Sequence, residues 1–153
     1  MIHPGKKEQK DRWPAYIVFL VGLHSIVLGL VIYFFTDFFY RIFFDASVEN
    51  PFFVRQSGTF LFLAGFFYLY PLLNLKRYFN LILVVIFSKV VAVYFLVANA
   101  GYTTAPVMIY LAAVFDGLMA LALVIVYFRL LKRPAAMVNS RVGEEAADLK
   151  EAA

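Results

Sequence analysis

The chain has 153 residues, of which 63% are hydrophobic and 16% charged, and its formal net charge is +4. Soluble domains carry about 45–50% apolar and about 25% charged residues, so this composition excludes a water-soluble fold. The absence of cysteine excludes disulfides, thiol chemistry, iron–sulfur ligation and cysteine zinc sites. The modest positive charge suits contact with a lipid bilayer, and no folded domain collects it into a nucleic-acid-binding surface.

Four long apolar runs predict four membrane-spanning helices. They cover about residues 15–35, 52–75, 79–100 and 106–131. Each is long enough to span, because a helix crosses the hydrocarbon core with about 20 apolar residues. The predicted fold class is all-α: a four-helix transmembrane bundle in a single domain over residues 1–133, followed by a polar cytoplasmic tail at 134–153.

The first span follows a basic tail that resembles the start of a secretory signal peptide. The apolar run from Ala15 to Phe35 is longer than a signal-peptide core, and no small-residue cleavage site follows it. We therefore expect a retained signal anchor that forms the first helix. Gly22, Ser25 and Gly29 make one thin stripe on this helix, where another backbone can approach.

Residues 36–50 differ from the spans, because charged residues interrupt their aromatic ones. Phe38, Phe39, Ile42 and Phe43 fall close to helical spacing. This pattern predicts a short amphipathic helix in the membrane interface between spans 1 and 2. The alternative is a tight extramembrane loop with buried Phe side chains.

Start and stop signals set the boundaries of the later spans. Asn50 and Pro51 predict the start of the second span, with Asn as the cap and Pro in the first turn. Pro71 is expected to bend the last turn of that span. The sequence Asn-Ala-Gly at 99–101 predicts the end of the third span. Pro134 is expected to end the helix of the fourth.

The basic residues predict the orientation. Nine of them lie in the N-terminal tail, the turn between spans 2 and 3, and the end of span 4, whereas only Arg41 and Arg55 lie on the other side. Cytoplasmic segments carry the excess of Lys and Arg. Both termini are therefore predicted to be cytoplasmic, in the inner or plasma membrane of a cell.

Three spans each carry one ionisable side chain near the middle: His24, Lys89 and Asp116. Each lies ten residues from the predicted boundary of its span, which is about 15 Å into a core about 30 Å thick. All three are expected near one midplane layer and turned away from lipid. A charge at that depth costs a few kcal/mol or more unless it is paired or hydrated.

Two roles for these residues stay open. In a functional role, Lys89 and Asp116 line a cavity as an ion pair, proton relay or ligand counter-ion, with His24 beside them. In a structural role, Lys89 and Asp116 neutralise each other and lock spans 3 and 4, while His24 bonds a carbonyl or Ser88. The small residues around Asp116, including an alanine and a glycine four positions apart at 113 and 117, indicate that it faces protein.

Arg55 forms a second polar group, about one turn inside span 2. Asp45 and Glu49 lie just upstream on the same side. Arg55 is predicted either to clamp the interfacial segment through one of these carboxylates or to bind an anionic headgroup.

No cofactor and no metal site is predicted. Haem between helices needs ligands at matched depth, but His3 lies in the tail and His24 at midplane. One His and one Asp at depth do not make a metal ligand set. The chain also lacks a nucleophile elbow, a Gly-rich phosphate loop and a paired-carboxylate motif, so the sequence favours a non-enzymatic role and leaves enzymatic activity open.

Three stretches carry a resemblance to a known family: FVRQSG at 53–58, LAGFFYL at 63–69, and Asp116-Gly117 ahead of YFR at 127–129. Together they resemble small bacterial four-helix membrane proteins of the DoxX-like type, over spans 2 to 4. The resemblance implies a four-helix bundle, and some members of that family are reported as accessory subunits of membrane redox enzymes.

The leading functional hypothesis is an integral membrane accessory or interaction module that packs with itself or with a partner membrane subunit. The uncharged, aromatic faces of spans 1 and 2 are its candidate contact surfaces. The alternative is a small-molecule or proton-linked binding or transport protein that uses His24, Lys89 and Asp116. A membrane enzyme is the third hypothesis, because no catalytic set is recognisable.

Overall fold

The computed structural model describes residues 12–151, with side chains as far as residue 132. This part of the chain forms five α-helices and no strand. They are α1 (Trp13–Phe34), α2 (Thr36–Phe44), α3 (Phe52–Leu69), α4 (Leu81–Asn99) and α5 (Pro106–Glu151). A 3₁₀ turn, Tyr70–Leu73, follows α3, and another, Ala100–Tyr102, follows α4. The predicted basic tail before Arg12 lies outside the described residues.

Four of the five helices are long and apolar enough to cross a membrane. The candidate spans are Trp13–Phe34, Phe52–Leu73, Leu81–Tyr102 and Pro106–Lys132. The prediction of four spans in an all-helical, multi-pass membrane protein is confirmed at this level. The segment after α1 is also helical, as predicted, and it is much shorter than the spans.

The boundary signals act largely as expected. The side-chain oxygen of Asn50 accepts a hydrogen bond of 3.0 Å from the Phe52 N–H at the start of α3. Pro71 lies in the 3₁₀ turn after α3, where the tighter backbone replaces the last α-helical turn.

The expectation for Pro134 is wrong, because α5 continues through it to Glu151. Proline removes only one donor from the helix. The residues after it are rich in Ala and Glu, which have high helix propensity.

Glycines hold α1 against α3 in a close antiparallel pair. Gly29 faces Gly58, and Gly22 faces Gly65, so the two contacts are one heptad apart on each helix. A Cβ added at Gly29 would lie 2.5 Å from the Phe62 backbone nitrogen and 2.7 Å from the Gly58 carbonyl oxygen. A Cβ added at Gly65 would lie 2.9 Å from the Gly22 oxygen. The two backbones therefore touch, as small residues allow between membrane helices.

The helices α4 and α5 form a second antiparallel pair, and the two pairs meet in one apolar core. The rings of Phe79 and Tyr127 stack with centroids 5.8 Å apart at one end of the second pair. The core consists of Val18, Val21, Ile82, Val85, Leu123, Val126 and Leu130. These positions lie early in α1, early in α4 and beyond the middle of the apolar part of α5. The core therefore fills the half of the molecule that carries the basic ends of the helices.

At the opposite end, side chains from the neighbouring elements fix both ends of α2. The Thr36 hydroxyl is buried and donates to the Ile32 carbonyl at 2.8 Å, while Arg55 Nε donates to that hydroxyl at 3.4 Å. The Thr104 hydroxyl, from the turn before α5, donates to the Phe44 carbonyl. These bonds hold α2 across the ends of α1, α3 and α5 that lie opposite the basic end.

Candidate functional site

A cavity of about 450 Å³ lies beneath α2, and all five helices contribute to its wall. We call it the central cavity. Most of its wall is apolar, including Phe39 and Phe43 from α2, Leu61 from α3 and Phe95 from α4. The close packing of the core at the basic end gives way here, because the two helix pairs separate around this space. The cavity therefore follows from the arrangement of the pairs.

Two ionisable residues, His24 from α1 and Asp116 from α5, lie on the wall of the central cavity. Lys89 from α4 lies behind Asp116, and its Nζ donates to Asp116 Oδ1 at 2.6 Å. The side chains of Lys89 and Asp116 are 5% and 16% exposed. The structure thus brings together the three residues that the sequence places near midplane. The cation is buried in protein, and the carboxylate borders the cavity.

The ion pair solves an electrostatic problem for α4 and α5. An unpaired ammonium group at this depth is costly, and the carboxylate on the facing helix lowers that cost through attraction and a short charge-assisted hydrogen bond. Because one oxygen of Asp116 accepts from Lys89, the carboxylate keeps lone pairs for a further donor on the cavity side. The pair can therefore have a structural and a binding role at once.

His24 differs from the ion pair because its Nδ1 atom is buried and has no hydrogen-bond partner among the described residues. Its ring lies against Phe115, with centroids 5.2 Å apart and planes inclined by 45°. The predicted bond to Ser88 is not formed, since the Ser88 hydroxyl donates to the Val84 carbonyl at 2.9 Å. An unpaired buried polar atom costs about 1–3 kcal/mol, so this nitrogen is available to a ligand.

A second, open cavity of about 640 Å³ runs along the outside of α1 and α5. We call it the lateral groove. Its wall is apolar except for His24. His24, Leu28 and Phe115 border both spaces, so these three side chains form the partition between the lateral groove and the central cavity.

Arg55 lies away from this site, at the outer end of α3. Within residues 12–132 no ion pair joins it to Asp45 or Glu49, so the predicted carboxylate clamp is not observed. Arg55 instead contacts α2 through the Thr36 hydroxyl. It therefore still links α3 to α2, but through a neutral acceptor, and its side chain stays largely exposed.

The sequence did not single out Phe115 or the α2 aromatics as site residues. Phe39 and Phe43 lie four positions apart on the apolar side of α2, and that spacing was the available signal for a wall of the site. Phe115 carries no such signal, because an aromatic residue in a span is equally typical of a lipid contact. The small pair at 113 and 117 also differs from expectation: a Cβ at Gly117 would meet Val93 only at 3.9 Å. Asp116 faces protein because of Lys89, not because the backbones approach closely there.

The described residues thus form a multi-pass helical membrane protein with a polar spot beside an intramembrane cavity. Comparison with known protein families, curated proteins and solved structures finds no match for this chain. Within the same residues, no group of three or more His, Asp or Glu side chains has the arrangement of a metal site.

Proposed function

We propose that this protein binds a small, mainly apolar molecule with one hydrogen-bonding head in the central cavity. The observation that carries the proposal is the composition of the cavity wall: aromatic and aliphatic side chains from five helices around two ionisable groups. Ligand sites are typically apolar cavities of about 300–1,000 Å³ with a few polar groups that fix orientation. In this role, the apolar wall supplies affinity and the polar groups supply specificity.

The head of the ligand is proposed to lie between His24 and Asp116. The free Nδ1 of His24 can accept or donate a hydrogen bond according to its tautomer, and Asp116 accepts one. Lys89 acts indirectly, by holding the Asp116 carboxylate in position through their hydrogen bond. In the apolar surroundings such bonds are stronger than in water. The sequence left two roles open for these three residues. We adopt the functional role and assign no transport step.

The proposal is tested by filling the cavity. Ala112 lines the central cavity, whereas Ala98 on α4 is exposed on an outer face, so Ala112→Phe and Ala98→Phe make the same change in two settings. Each protein is purified in lipid nanodiscs, and co-purifying small molecules are extracted and identified by mass spectrometry. Wild type and Ala98→Phe should carry a molecule that Ala112→Phe lacks. Equal extracts from all three proteins would show that the cavity holds no specific ligand.

The membrane arrangement is part of the proposal. The four spans are proposed to form one bundle, with α2 in the outer interface and both termini in the cytoplasm of a cell whose inner or plasma membrane holds the protein. The charge asymmetry and the amphipathic sequence of α2 support this. Membership of the DoxX-like type also remains a proposal, supported by the sequence stretches in spans 2 to 4.

The accessory-module hypothesis is the second candidate, and the exposure of α3 favours it. Only 11% of the α3 span is buried within the protein, the lowest share of the four spans. Its outer face carries large aromatic side chains, among them Phe53, Phe60 and Phe67. A second copy or a partner membrane subunit packed on this face would bury them. A monodisperse monomer in mild detergent, measured by light scattering, would count against self-association.

A further inference from the structure

The helices α3 and α4 belong to different pairs, and an apolar groove of about 360 Å³ lies between them at the basic end of the molecule. We call it the α3/α4 groove. It shares no residue with the lateral groove or with the central cavity. Its wall is formed by Phe67, Tyr68, Tyr70, Leu81, Val84 and Val85.

A basic turn, residues 74–80, joins α3 to α4 beside this groove. It contains Lys76 and Arg77, both exposed, and residues 70–80 include no acidic side chain. The Arg77 guanidinium lies 5.4 Å from the centre of the Tyr78 ring. That ring in turn meets Tyr70, a groove residue, with centroids 5.1 Å apart. A continuous line of contacts therefore connects the guanidinium to the apolar wall.

From this arrangement we propose that the α3/α4 groove binds an anionic phospholipid, with one acyl chain in the groove and the headgroup phosphate on Lys76 and Arg77. Three features agree in depth and chemistry. The wall is apolar where acyl chains lie, Tyr70 and Tyr78 lie where the headgroup region begins, and residues 70–80 place two cations there with no acidic side chain among them. Arg is suited to phosphate because its planar guanidinium donates two parallel hydrogen bonds.

Two other basic residues of this end, Arg129 and Lys132, do not share the geometry. Arg129 lies over the Trp13 ring at 5.1 Å and so faces α1. Lys132 is exposed at the end of the apolar part of α5 and contributes to neither side of the α3/α4 groove. Lys132 is therefore a matched control: it has the same charge and lies at the same end, away from the groove.

The test measures lipid binding by the full-length protein. It is purified in nonionic detergent and titrated with dioleoyl phosphatidylglycerol or dioleoyl phosphatidylcholine, and bound lipid is counted by native mass spectrometry. Each Lys or Arg that contacts the headgroup contributes about fivefold to binding of anionic lipid. Wild type should prefer phosphatidylglycerol by about twenty-five-fold, Lys76→Gln with Arg77→Gln should abolish the preference, and Lys132→Gln should retain it.

Two further measurements distinguish lipid binding in the α3/α4 groove from general attraction between the basic residues and anionic lipid. Val84→Phe keeps every charge but narrows the groove, so it should lower the occupancy of phosphatidylglycerol; its thermal unfolding curve must match wild type. Inorganic phosphate at millimolar concentration should not displace the lipid, because it lacks the acyl chains. The proposal is overturned by equal binding of the two lipids to wild type, by full binding to a folded Val84→Phe, by an equal loss in Lys132→Gln, or by displacement with phosphate.

Discussion

At the scale of single residues, Lys89 and Asp116 each lower the free-energy cost of burying the other's charge inside the membrane. The Lys89 side chain is 5% exposed and the Asp116 side chain 16%, so water screens neither charge effectively. Removing one partner leaves a buried charge that must be neutralised or hydrated. Replacing both by neutral side chains leaves no buried charge and avoids that cost, as is often found when a buried pair is replaced as a unit.

We expect Asp116→Asn alone to lower the free energy of unfolding by about 3–5 kcal/mol, because Lys89 loses its counter-ion. Lys89→Met alone should act in the same direction. The double variant should recover most of that loss, within about 1 kcal/mol of wild type. Thermal unfolding in detergent micelles, followed by circular dichroism, measures all four proteins.

Ser88→Ala is the control for this series, since Ser88 bonds only to its own helix. If the single variants unfold at the same temperature as the double variant, the pair is hydrated. Its burial then does not explain the contact. The same double variant separates structure from binding: a stable protein that has lost its co-purifying ligand assigns a binding role to the pair.

At the scale of helices, the contact between α1 and α3 is the closest in the described part of the chain. It depends on the absence of side chains at Gly22, Gly29, Gly58 and Gly65 rather than on complementary ones. A methyl group at Gly29 would point at backbone atoms, which cannot rotate away as a side chain can. At Gly117, in contrast, the same methyl group has ordinary contact distance to Val93.

Gly29→Ala should therefore force α1 and α3 apart and destabilise the protein by about 1–3 kcal/mol. Gly117→Ala changes the same residue type within a span but should be neutral, or stabilising by up to about 1 kcal/mol through helix propensity. Unfolding midpoints in the same detergent compare the two variants with wild type. If Gly29→Ala unfolds no earlier than Gly117→Ala, the backbone contact between α1 and α3 is not what stabilises this pair.

The sequence predicts the helices better than their arrangement. Span positions follow from hydropathy, and the glycine stripe of α1 indicates that another backbone can approach it; Gly58 and Gly65 form the matching stripe of α3 in the structure. A single sequence does not show, however, which helix packs against which, so it does not predict that these two stripes pair. Likewise, lipid-facing and cavity-facing side chains are both apolar, so periodicity does not mark which phenylalanines line the cavity. Only the ionisable residues, His24 among them, could be assigned to the interior, because charge is costly elsewhere.

At the scale of the whole molecule, the described residues divide into a packed half and an open half. Valine, isoleucine and leucine side chains fill the space between the pairs at the basic end. Toward α2 the pairs separate around the central cavity, and His24 and Asp116 lie at the change between the two halves. A ligand head would thus meet polar groups at the floor of the cavity, while α2 covers its outer end.

The proposed topology orients the two halves in the membrane. It predicts that the packed half faces the cytoplasm. The chain contains no cysteine, so one introduced thiol reports one position. Gly101→Cys is suited to the outer side, because a Cβ there meets no atom within 4 Å. Lys76→Cys reports the opposite side and leaves eight of the nine basic residues that set the orientation.

In intact cells that produce the protein, a membrane-impermeant maleimide should label Gly101→Cys and should label Lys76→Cys only after permeabilisation. Labelling is read as a mass shift on a gel, and wild type, which has no thiol, sets the background. Labelling of both variants in intact cells would reveal two orientations in one membrane. The reverse pattern would show that the orientation is opposite to the proposed one. The central cavity beneath α2 would then lie toward the cytoplasm and the basic turn of the α3/α4 groove toward the outside.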